Sequence, residues 1–320
     1  MKQTESEMIK VASMYYEEGL TQAAIARQRG VSRSLIAKYL KEARELGIVE
    51  VVIKSESIYT ARLERELEQR YHLKNAIVVD TQDLHPSEIG KRVSQRAALY
   101  LQDIIADYTR IGISWGNSLR RMVDSFPYMN HSEAELVPLI GGLSDDYFDI
   151  QSNQLTYELA RKMRAKAKYL YAPALVSNAL IRRELASNRA IQSVLAEGSQ
   201  VELALVGISS LDQETNMRNI GYVDNAQYAA LKAQGAVGVI NSRFYDQFGQ
   251  ELANEINQSV LGITLNDLRK IPQVMTVVQG NQKVHAIEVA LRTGMINTIV
   301  TTNTVAETII DLSEANANSL

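Results

Sequence analysis

The apolar residues in the first part of the chain recur with the spacing of a helix. Met8, Val11, Ala12 and Tyr15 fall at positions i, i+3, i+4 and i+7, which predicts one buried helical face. Gly19 marks the end of this segment, because glycine commonly follows the last helical residue. The first predicted element is therefore an amphipathic helix.

Two further helices are predicted on either side of a tight turn. Thr21 can cap the second helix, in which Ile25 and Ala26 face inward, and Gly30 permits the left-handed turn that ends it. Ser32 can then cap a third helix. Its buried stripe is predicted at Ile36, Leu40, Ala43 and Gly47, and its opposite side at Ser34, Lys38 and Lys41. This spacing predicts a helix-turn-helix.

The spacing of apolar residues changes twice in the segment that follows. The alternation of Val49, Val51 and Ile53 with polar residues predicts a short β-wing. Residues 59–71 then return to helical spacing, with apolar residues at Leu63, Leu67 and Tyr71. This linker helix either pairs with its copy in another subunit or lies on the next domain, and the sequence favours neither arrangement.

Beyond Leu73, short β-rich runs alternate with helical stretches. The predicted strands lie at 76–80, 109–114, 134–140, 167–176, 201–209, 236–240, 272–279 and 297–301. Such alternation predicts a Rossmann-like α/β domain, in which a largely parallel sheet is covered by helices on both faces. In sheets of this kind, ligands bind beyond the carboxyl ends of the strands.

Three of these strand ends carry residues that suit a phosphate. Trp115 to Ser118 follow a strand and open a helix, so their N–H groups are expected to be unpaired at a positive helix end. Gly141 and Gly142 let a ligand approach the main chain at a second strand end. At a third, Lys283 places a cation beside another helix N-terminus.

Composition narrows the function classes. The 320 residues are 46% hydrophobic and 22% charged, which is an ordinary globular balance, and the absence of cysteine excludes disulfides and thiolate chemistry. No run approaches the ~20 apolar residues of a membrane helix, and the polar first residues lack the apolar core of a signal peptide. We expect a cytoplasmic protein with no membrane contact. No cluster of His, Asp or Glu has metal-ligand spacing, so neither metal nor cofactor is expected.

Charge separates the predicted helix-turn-helix from the rest of the chain. Residues 21–41 contain five basic residues and no acidic one, although the whole chain has a net charge of −3. This asymmetry favours a surface that faces nucleic-acid phosphates. The residues expected to contact DNA are Thr21, Gln22, Ser32, Arg33, Ser34, Ala37, Lys38 and Lys41.

Two enzymatic functions are alternatives to simple ligand binding. Residues 112–116 spell G-x-S-x-G, the pattern of a hydrolase nucleophile elbow around Ser114, but such an enzyme needs a histidine later in the chain. Only His131 and His285 follow, and neither has the setting of an oriented base. An isomerase or deaminase needs a carboxylate that moves a proton between carbons, and Asp246 is the candidate. The predicted DNA-binding unit argues against this alternative, so we do not expect an enzyme.

Five segments resemble the SorC family of bacterial transcriptional regulators over essentially the full length of the chain. They are residues 20–51, the GISWGNSL loop at 112–119, the IGG turn at 140–142, RFYDQFG at 243–249, and residues 280–301. The resemblance implies a winged helix-turn-helix joined to an effector domain related to sugar-phosphate isomerases and deaminases. It also implies a homotetramer, or dimer of dimers, whose affinity for operator DNA responds to a phosphorylated sugar.

The resemblance assigns domains and a ligand pocket. Residues 1–55 become the DNA-binding domain, 56–72 the linker helix, and 73–320 the effector and oligomerisation domain. The residues expected to bind the effector are Ser114, Trp115, Gly116, Asn117, Ser118, Gly141, Gly142, Asp246, Gln279 and Lys283. Asn117 and Ser118 replace an arginine and a threonine common in the family, and Thr301–Thr304 lacks its usual aspartate. The resemblance therefore does not name the sugar.

Overall fold

The structure is a computed structural model that describes residues 2–49, 58–143, 145–211, 217 and 220–317. The chain divides into two compact units, residues 1–58 and 59–320, each with its own hydrophobic core. The predicted β-wing falls largely on residues 50–57, outside the described residues, and stays a prediction.

The described part of the first unit contains the helices α1 (Lys2–Tyr16), α2 (Gln22–Arg29) and α3 (Arg33–Glu45). Thr21 and Ser32 cap α2 and α3 as predicted, because each hydroxyl accepts a hydrogen bond from a first-turn N–H group. Gly30 has a φ of 65°, the left-handed conformation that ends α2. The core between these helices consists of Val11, Met14, Ile25, Ala26, Ile36 and Leu40.

One residue of the predicted buried stripe does not pack into this core. Gly47 is exposed and has a φ of 70°, because it lies in the turn beyond the end of α3. The other members of the stripe, Ile36, Leu40 and Ala43, are buried. The helical period therefore holds only as far as the helix itself continues.

The second unit alternates helices and strands. Its helices are α4 (Ile58–Tyr71), α5 (Pro86–Ile104), α6 (Asn117–Ser125), α7 (Ser152–Met163), α8 (Ala179–Ser187), α9 (Arg189–Gly198), α10 (Asn225–Ala233), α11 (Glu255–Gln258), α12 (Leu265–Leu268), α13 (Val284–Arg292) and α14 (Asn303–Ala317), with 3₁₀ turns at Ile105–Asp107, Asp145–Ile150 and Asn281–Lys283. Its strands are β1 (Asn75–Val79), β2 (Arg110–Ile113), β3 (Glu135–Pro138), β4 (Lys166–Ala167), β5 (Leu203–Val206), β6 (Ile208–Ser210), β7 (Ala236–Ile240), β8 (Arg243–Asp246), β9 (Gln273–Val277) and β10 (Thr298–Thr302). These ranges cover the described residues.

Within the described residues, seven strands form one sheet in the order β1-β10-β9-β5-β2-β3-β4, and all neighbours are parallel. One face is covered by the core that includes Val93, Leu119 and Leu155 of α5, α6 and α7. The other is covered by the core that includes Leu67 of α4 and Ile287 of α13. The α/β sheet with helices on both faces is therefore confirmed.

A second sheet, which the sequence did not predict, contains β6, β7 and β8 in antiparallel order. The predicted strand at 201–209 breaks at Gly207, so that β5 joins the parallel sheet and β6 joins this one. A two-residue turn, Asn241–Ser242, joins β7 to β8. Both turn residues have positive φ, at 51° and 60°, as in the tight hairpin turns that match strand twist.

The prediction of a strand over 167–176 is wrong beyond Ala167. Past β4, this segment makes only isolated bridges, from Pro173 to Gly142 and from Leu175 to Val260. Pro173 lacks the N–H group that a continuous ladder needs. The apolar run beyond β4 is instead a loop that contacts the segments around Gly142 and Val260.

Helix α4 lies on the second unit, which is the second of the two arrangements that the sequence left open. Leu63, Leu67 and Tyr71 are buried in the core of this unit. Two carboxylates of α4 accept hydrogen bonds from the outer edge of β1: Glu64 from Val78 N–H at 2.8 Å and Glu68 from Ala76 N–H at 3.0 Å. The edge strand of the parallel sheet is therefore paired with a helix.

Candidate functional site

A cavity of about 470 Å³ opens at the carboxyl ends of the central parallel strands. The chain leaves β2 toward β3 on one side, whereas β5 leads toward β9 on the other, so the connections diverge between β2 and β5. Such a divergence leaves a crevice outside the strand ends. Its walls come from the loops after β2, β5 and β9, and from the antiparallel sheet.

Six of the ten predicted effector residues line this cavity: Trp115, Gly116, Asn117, Ser118, Gln279 and Lys283. The loops after β2 and β9 meet here because β5 alone separates these two strands. The parallel topology therefore brings together two segments that lie far apart in the sequence.

The charged groups at the cavity are cations. Arg121 and Lys283 line it, and no carboxylate does so among its described lining residues. Burial lowers the pKa of Lys283 below its ordinary value, and the positive charge of Arg121 lowers it further. Two like charges beside one cavity are unfavourable when it is empty of anions. A bound anion would relieve that repulsion, so the electrostatics favour a negatively charged ligand.

The N-terminus of α6 faces the same space. Gly116 is its N-cap residue with a φ of 130°, and Asn117, Ser118 and Leu119 form its first turn beside the cavity. First-turn N–H groups have no partner within a helix and carry the positive end of its dipole. The Gly116 N–H differs from the expectation, because it donates to the Ile150 carbonyl at 3.0 Å. The groups suited to an anion are those that follow it.

Ser114 does not line the cavity and does not have the setting of a nucleophile. It is buried, and its hydroxyl donates a hydrogen bond to the side-chain oxygen of Asn241 at 2.8 Å. An amide oxygen is not a base at neutral pH, so this contact cannot activate the serine. His131 instead contacts the Tyr108 carbonyl through Nε2 at 2.8 Å. Ser114 positions a loop.

The Gly141–Gly142 pair packs against another segment of main chain. Gly141 donates to the Leu261 carbonyl, and Gly142 donates to the Ala172 carbonyl. A Cβ atom on Gly141 would lie 2.5 Å from the Ala172 oxygen, so only glycine permits this approach. Neither glycine is among the residues that line the cavity. The main chain of residues 172–173 occupies the space that was expected to admit a ligand.

Asp246 also lies away from the cavity lining. Its carboxylate accepts hydrogen bonds from the N–H groups of Phe248 and Gln250, both at 2.9 Å, and so closes the turn after β8. The cavity meets the opposite end of this strand, at Ser242. Four residues of strand separate the two ends by roughly 10 Å. The carboxylate that the isomerase hypothesis requires is thus engaged in a turn.

Five polar lining residues were not predicted from the sequence: Arg121, Ser209, Asn241, Ser242 and Gln282. Arg121 lies on α6, one turn beyond the loop that contains Trp115 and Gly116. Asn241 and Ser242 form the turn between β7 and β8, and a signal for them exists. A two-residue Asn-Ser segment between VGVI and RFYD is typical of a hairpin turn.

The predicted DNA-contacting residues lie together at α2 and α3. Arg33, Ser34, Ala37, Lys38 and Lys41 are exposed along α3, and Gln22 is half-buried at the start of α2. Lys38 and Lys41 each lie near a glutamate one turn on, at 3.7 Å from Glu42 and 3.6 Å from Glu45. Such exposed pairs are weak, so both lysines can exchange these partners for phosphates.

The structure thus combines a compact helical unit with an α/β unit that has a cation-lined cavity at its strand ends. Residues 55–311 match the model of the family described as "Putative sugar-binding domain". The chain belongs to this family. The sorbitol operon regulator, at 31% identity over 95% of the chain, also shows that it belongs to the SorC family of transcriptional regulators. None of its helices, within the described residues, is long and apolar enough to cross a membrane.

Two relatives support this membership. The sorbitol operon regulator of Klebsiella pneumoniae is 31% identical over 305 residues, which cover 95% of this chain and 97% of the relative. The deoxyribonucleoside regulator of Bacillus subtilis is 28% identical, with 91% and 93% covered.

Solved structures agree with the same assignment. The full-length sorbitol operon regulator SorC of Klebsiella pneumoniae aligns with a TM-score of 0.74 at 31% identity, over 95% of this chain and 98% of its own. A DeoR family transcriptional regulator from Listeria monocytogenes aligns with a TM-score of 0.75 at 40% identity, over 78% of this chain and 99% of its own.

The lowered pKa of Lys283 predicts a pH dependence of anion binding. Between about pH 8 and pH 10.5, inorganic phosphate stays a dianion, so its affinity should follow Lys283. The affinity should fall as pH rises through the lowered pKa, because only the protonated amine attracts the dianion. Isothermal titration calorimetry at several pH values measures this. Lys283→Met should abolish the Lys283-dependent decline, and Lys270→Met, at an exposed lysine, should retain it. Equal declines in all three proteins would contradict the prediction.

Proposed function

We propose that the protein is a DNA-binding transcriptional regulator of a carbohydrate-utilisation operon, controlled by a phosphorylated sugar in its second unit. The observation that carries the proposal is the cavity at the strand ends, with two cations and no carboxylate among its described lining residues. Family membership supports a sugar as the neutral part of the ligand. The relatives named as regulators of sorbitol and deoxyribonucleoside use support the role in transcription.

The proposed pose follows from the distribution of charge in the cavity. The phosphate lies against the first turn of α6, where Ser118 and Leu119 present N–H groups, and is neutralised by Lys283 and Arg121. The sugar lies toward the uncharged residues of the antiparallel sheet. Gln279, beside Lys283, offers an amide to either part. Gly141, Gly142 and Asp246 have no direct part in this pose.

The first unit is proposed as a winged helix-turn-helix. In this motif the second helix of the pair enters the major groove, and its exposed N-terminal residues contact base edges. For α3 these are Arg33, Ser34, Ala37 and Lys38, with Lys41 placed for a phosphate. Thr21, Gln22 and Ser32, at the starts of α2 and α3, are proposed to contact the DNA backbone through their N-terminal turns.

The chemistry of the cavity favours binding over catalysis. An isomerase of this fold needs a carboxylate at the substrate, and Asp246 is engaged in a turn. The relatives named above are regulators. A common origin of the second unit with sugar-phosphate isomerases and deaminases is compatible with this role, since one fold hosts many functions.

The effector site is tested by removing its half-buried cation. Lys283→Ala should weaken sugar-phosphate binding about 10- to 100-fold, because hydrogen bonds to charged groups contribute ~1.5–3 kcal/mol. Binding is measured by calorimetry on the full chain with ribose 5-phosphate, glucose 6-phosphate, fructose 6-phosphate and sorbitol 6-phosphate. Lys270→Ala, at the opposite edge of the sheet, should leave binding unchanged. If the wild-type protein binds none of these four compounds, the result would contradict the proposal that it senses one of them.

The DNA-binding unit is tested by the salt dependence of operator affinity. Lys41→Ala should weaken binding to all sequences alike and lower the slope of log affinity against log salt by about one unit, because one phosphate contact is lost. Lys10→Ala on α1 is the matched control and should keep the wild-type slope. Fluorescence anisotropy with DNA from the protein's own promoter measures both. No binding at low salt would argue against the proposal.

We also propose a homotetramer, arranged as a dimer of dimers. A single helix-turn-helix makes a small contact, and specific binding normally uses two half-sites held by a symmetric pair. Multi-angle light scattering at micromolar concentration should therefore give four times the chain mass of 35.7 kDa. A monomer under these conditions would contradict the proposal.

A further inference from the structure

The turn between β7 and β8 reaches the wall of the cavity. Asn241 and Ser242 are both buried, line the cavity and hold positive φ angles. Non-glycine residues in this conformation carry a small cost, which is tolerated where surrounding contacts fix the backbone. Their side chains supply those contacts, and each does so in a different way.

The Asn241 side chain has no donor hydrogen left for a ligand. Its oxygen accepts the Ser114 hydroxyl at 2.8 Å, and its amide donates to the Leu139 and Ile263 carbonyls, both at 3.2 Å. Both amide hydrogens are thereby used. Asn241 therefore fixes the turn against the loops at the strand ends.

Ser242 is in a different position. Its hydroxyl oxygen accepts the Trp115 indole N–H at 3.0 Å. Indole can only donate, so this bond fixes Ser242 as the acceptor and leaves its own hydrogen to be donated elsewhere. Within the described residues, that hydrogen has no acceptor. A buried hydroxyl that has an unused hydrogen and lines a cavity offers a directed donor to whatever fills it.

The two walls of the cavity differ in charge. Arg121, Gln279 and Lys283 lie on the side of α6 and of the 3₁₀ turn before α13. Ser242 lies on the antiparallel sheet, together with Ile208, Ser209 and Val239, which are uncharged. We therefore expect a ligand with one anionic and one neutral end to place its anionic end at Arg121 and Lys283 and its neutral end toward these uncharged residues.

We propose that Ser242 is a specificity-determining residue, whose hydroxyl, held by the Trp115 indole, donates a hydrogen bond to an oxygen of the sugar part of the ligand. This inference rests on the proposed sugar-phosphate function. A sugar that places no acceptor oxygen at this point leaves the donor unsatisfied in a buried site, and is disfavoured.

The test compares sugar phosphates with inorganic phosphate on the full chain. Ser242→Ala should weaken the tightest-binding of the four sugar phosphates named above by about 3- to 10-fold, because one neutral hydrogen bond is lost. Inorganic phosphate, which reaches only the cationic wall, should bind as in wild type. Ser199→Ala, beyond the end of α9 at the opposite sheet edge, is the matched control and should change neither affinity.

A second pair of variants separates direct contact from loss of loop geometry. Ser242→Ala also leaves the Trp115 N–H without its acceptor, which could move the loop after β2. Trp115→Phe removes that donor, so Ser242→Ala introduced on this background leaves no orphaned group. If Ser242 contacts the sugar, Ser242→Ala still lowers sugar-phosphate affinity on the Trp115→Phe background, because the hydroxyl remains a donor without the indole. A loss that disappears on the Trp115→Phe background would overturn the proposal in favour of an indirect role.

Two other outcomes are distinguishable. Unchanged sugar-phosphate affinity in Ser242→Ala, with wild-type binding intact, would overturn this inference and leave the proposed function standing. Equal losses for sugar phosphate and inorganic phosphate would place Ser242 at the anionic end, and would also overturn it. If the wild-type protein bound none of the sugar phosphates, the proposed function would fail first and this inference with it.

Discussion

The position of β5 between β2 and β9 is the constraint on which the site depends. Because the chain returns to the centre of the sheet after β4, its connections diverge at β2 and β5, and main chain cannot fill the space above their carboxyl ends. The loop after β2, with Trp115 and Gly116, and the loop after β9, with Lys283, both border that space. Neither loop alone makes an anion site, since the dipole of one helix and one lysine are each weak in water.

The antiparallel sheet completes the site by a different means. Four side-chain hydrogen bonds from one turn reach Ser114, Trp115, Leu139 and Ile263. These groups belong to the loops after β2 and β3 and to the segment before α12. A turn tied to several segments cannot shift without breaking buried hydrogen bonds, which are costly to leave unmade. The neutral wall is thus held in a fixed relation to the charged wall.

Local signals in the sequence predicted local structure well. Thr21 and Ser32 cap helices because their hydroxyls bond N–H groups only three residues on. The parallel strands were visible as apolar runs between helical stretches, and the loops at Trp115–Ser118 and Lys283 could be placed because parallel strands end at one edge. The assignment of these loops to a single pocket also drew on the resemblance to the SorC family.

The features that the sequence did not predict depend on contacts between residues far apart in the chain. Ser114 and Asn241 are 127 residues apart, and nothing near either one indicates the bond between them. Gly141 was predicted to face a ligand, but the main chain of residues 172–173 packs against it. Gly207 divides one continuous apolar run between two sheets, because the run gives no sign of where its hydrogen-bonding partners change. Asp246 has the carboxylate that an isomerase needs, but it lies at the end of β8 opposite the cavity.

The contact between α4 and β1 has a consequence for the integrity of the sheet. Glu64 and Glu68 are one helical turn apart, about 6 Å along the axis, close to the roughly 6.6 Å between Ala76 and Val78 along a strand. The helix can therefore satisfy two successive N–H groups, as a neighbouring strand would. A fragment that began at β1 would expose these groups as a template for intermolecular strand pairing. Helix α4 thus also closes an edge strand that would otherwise be open to pairing with another chain.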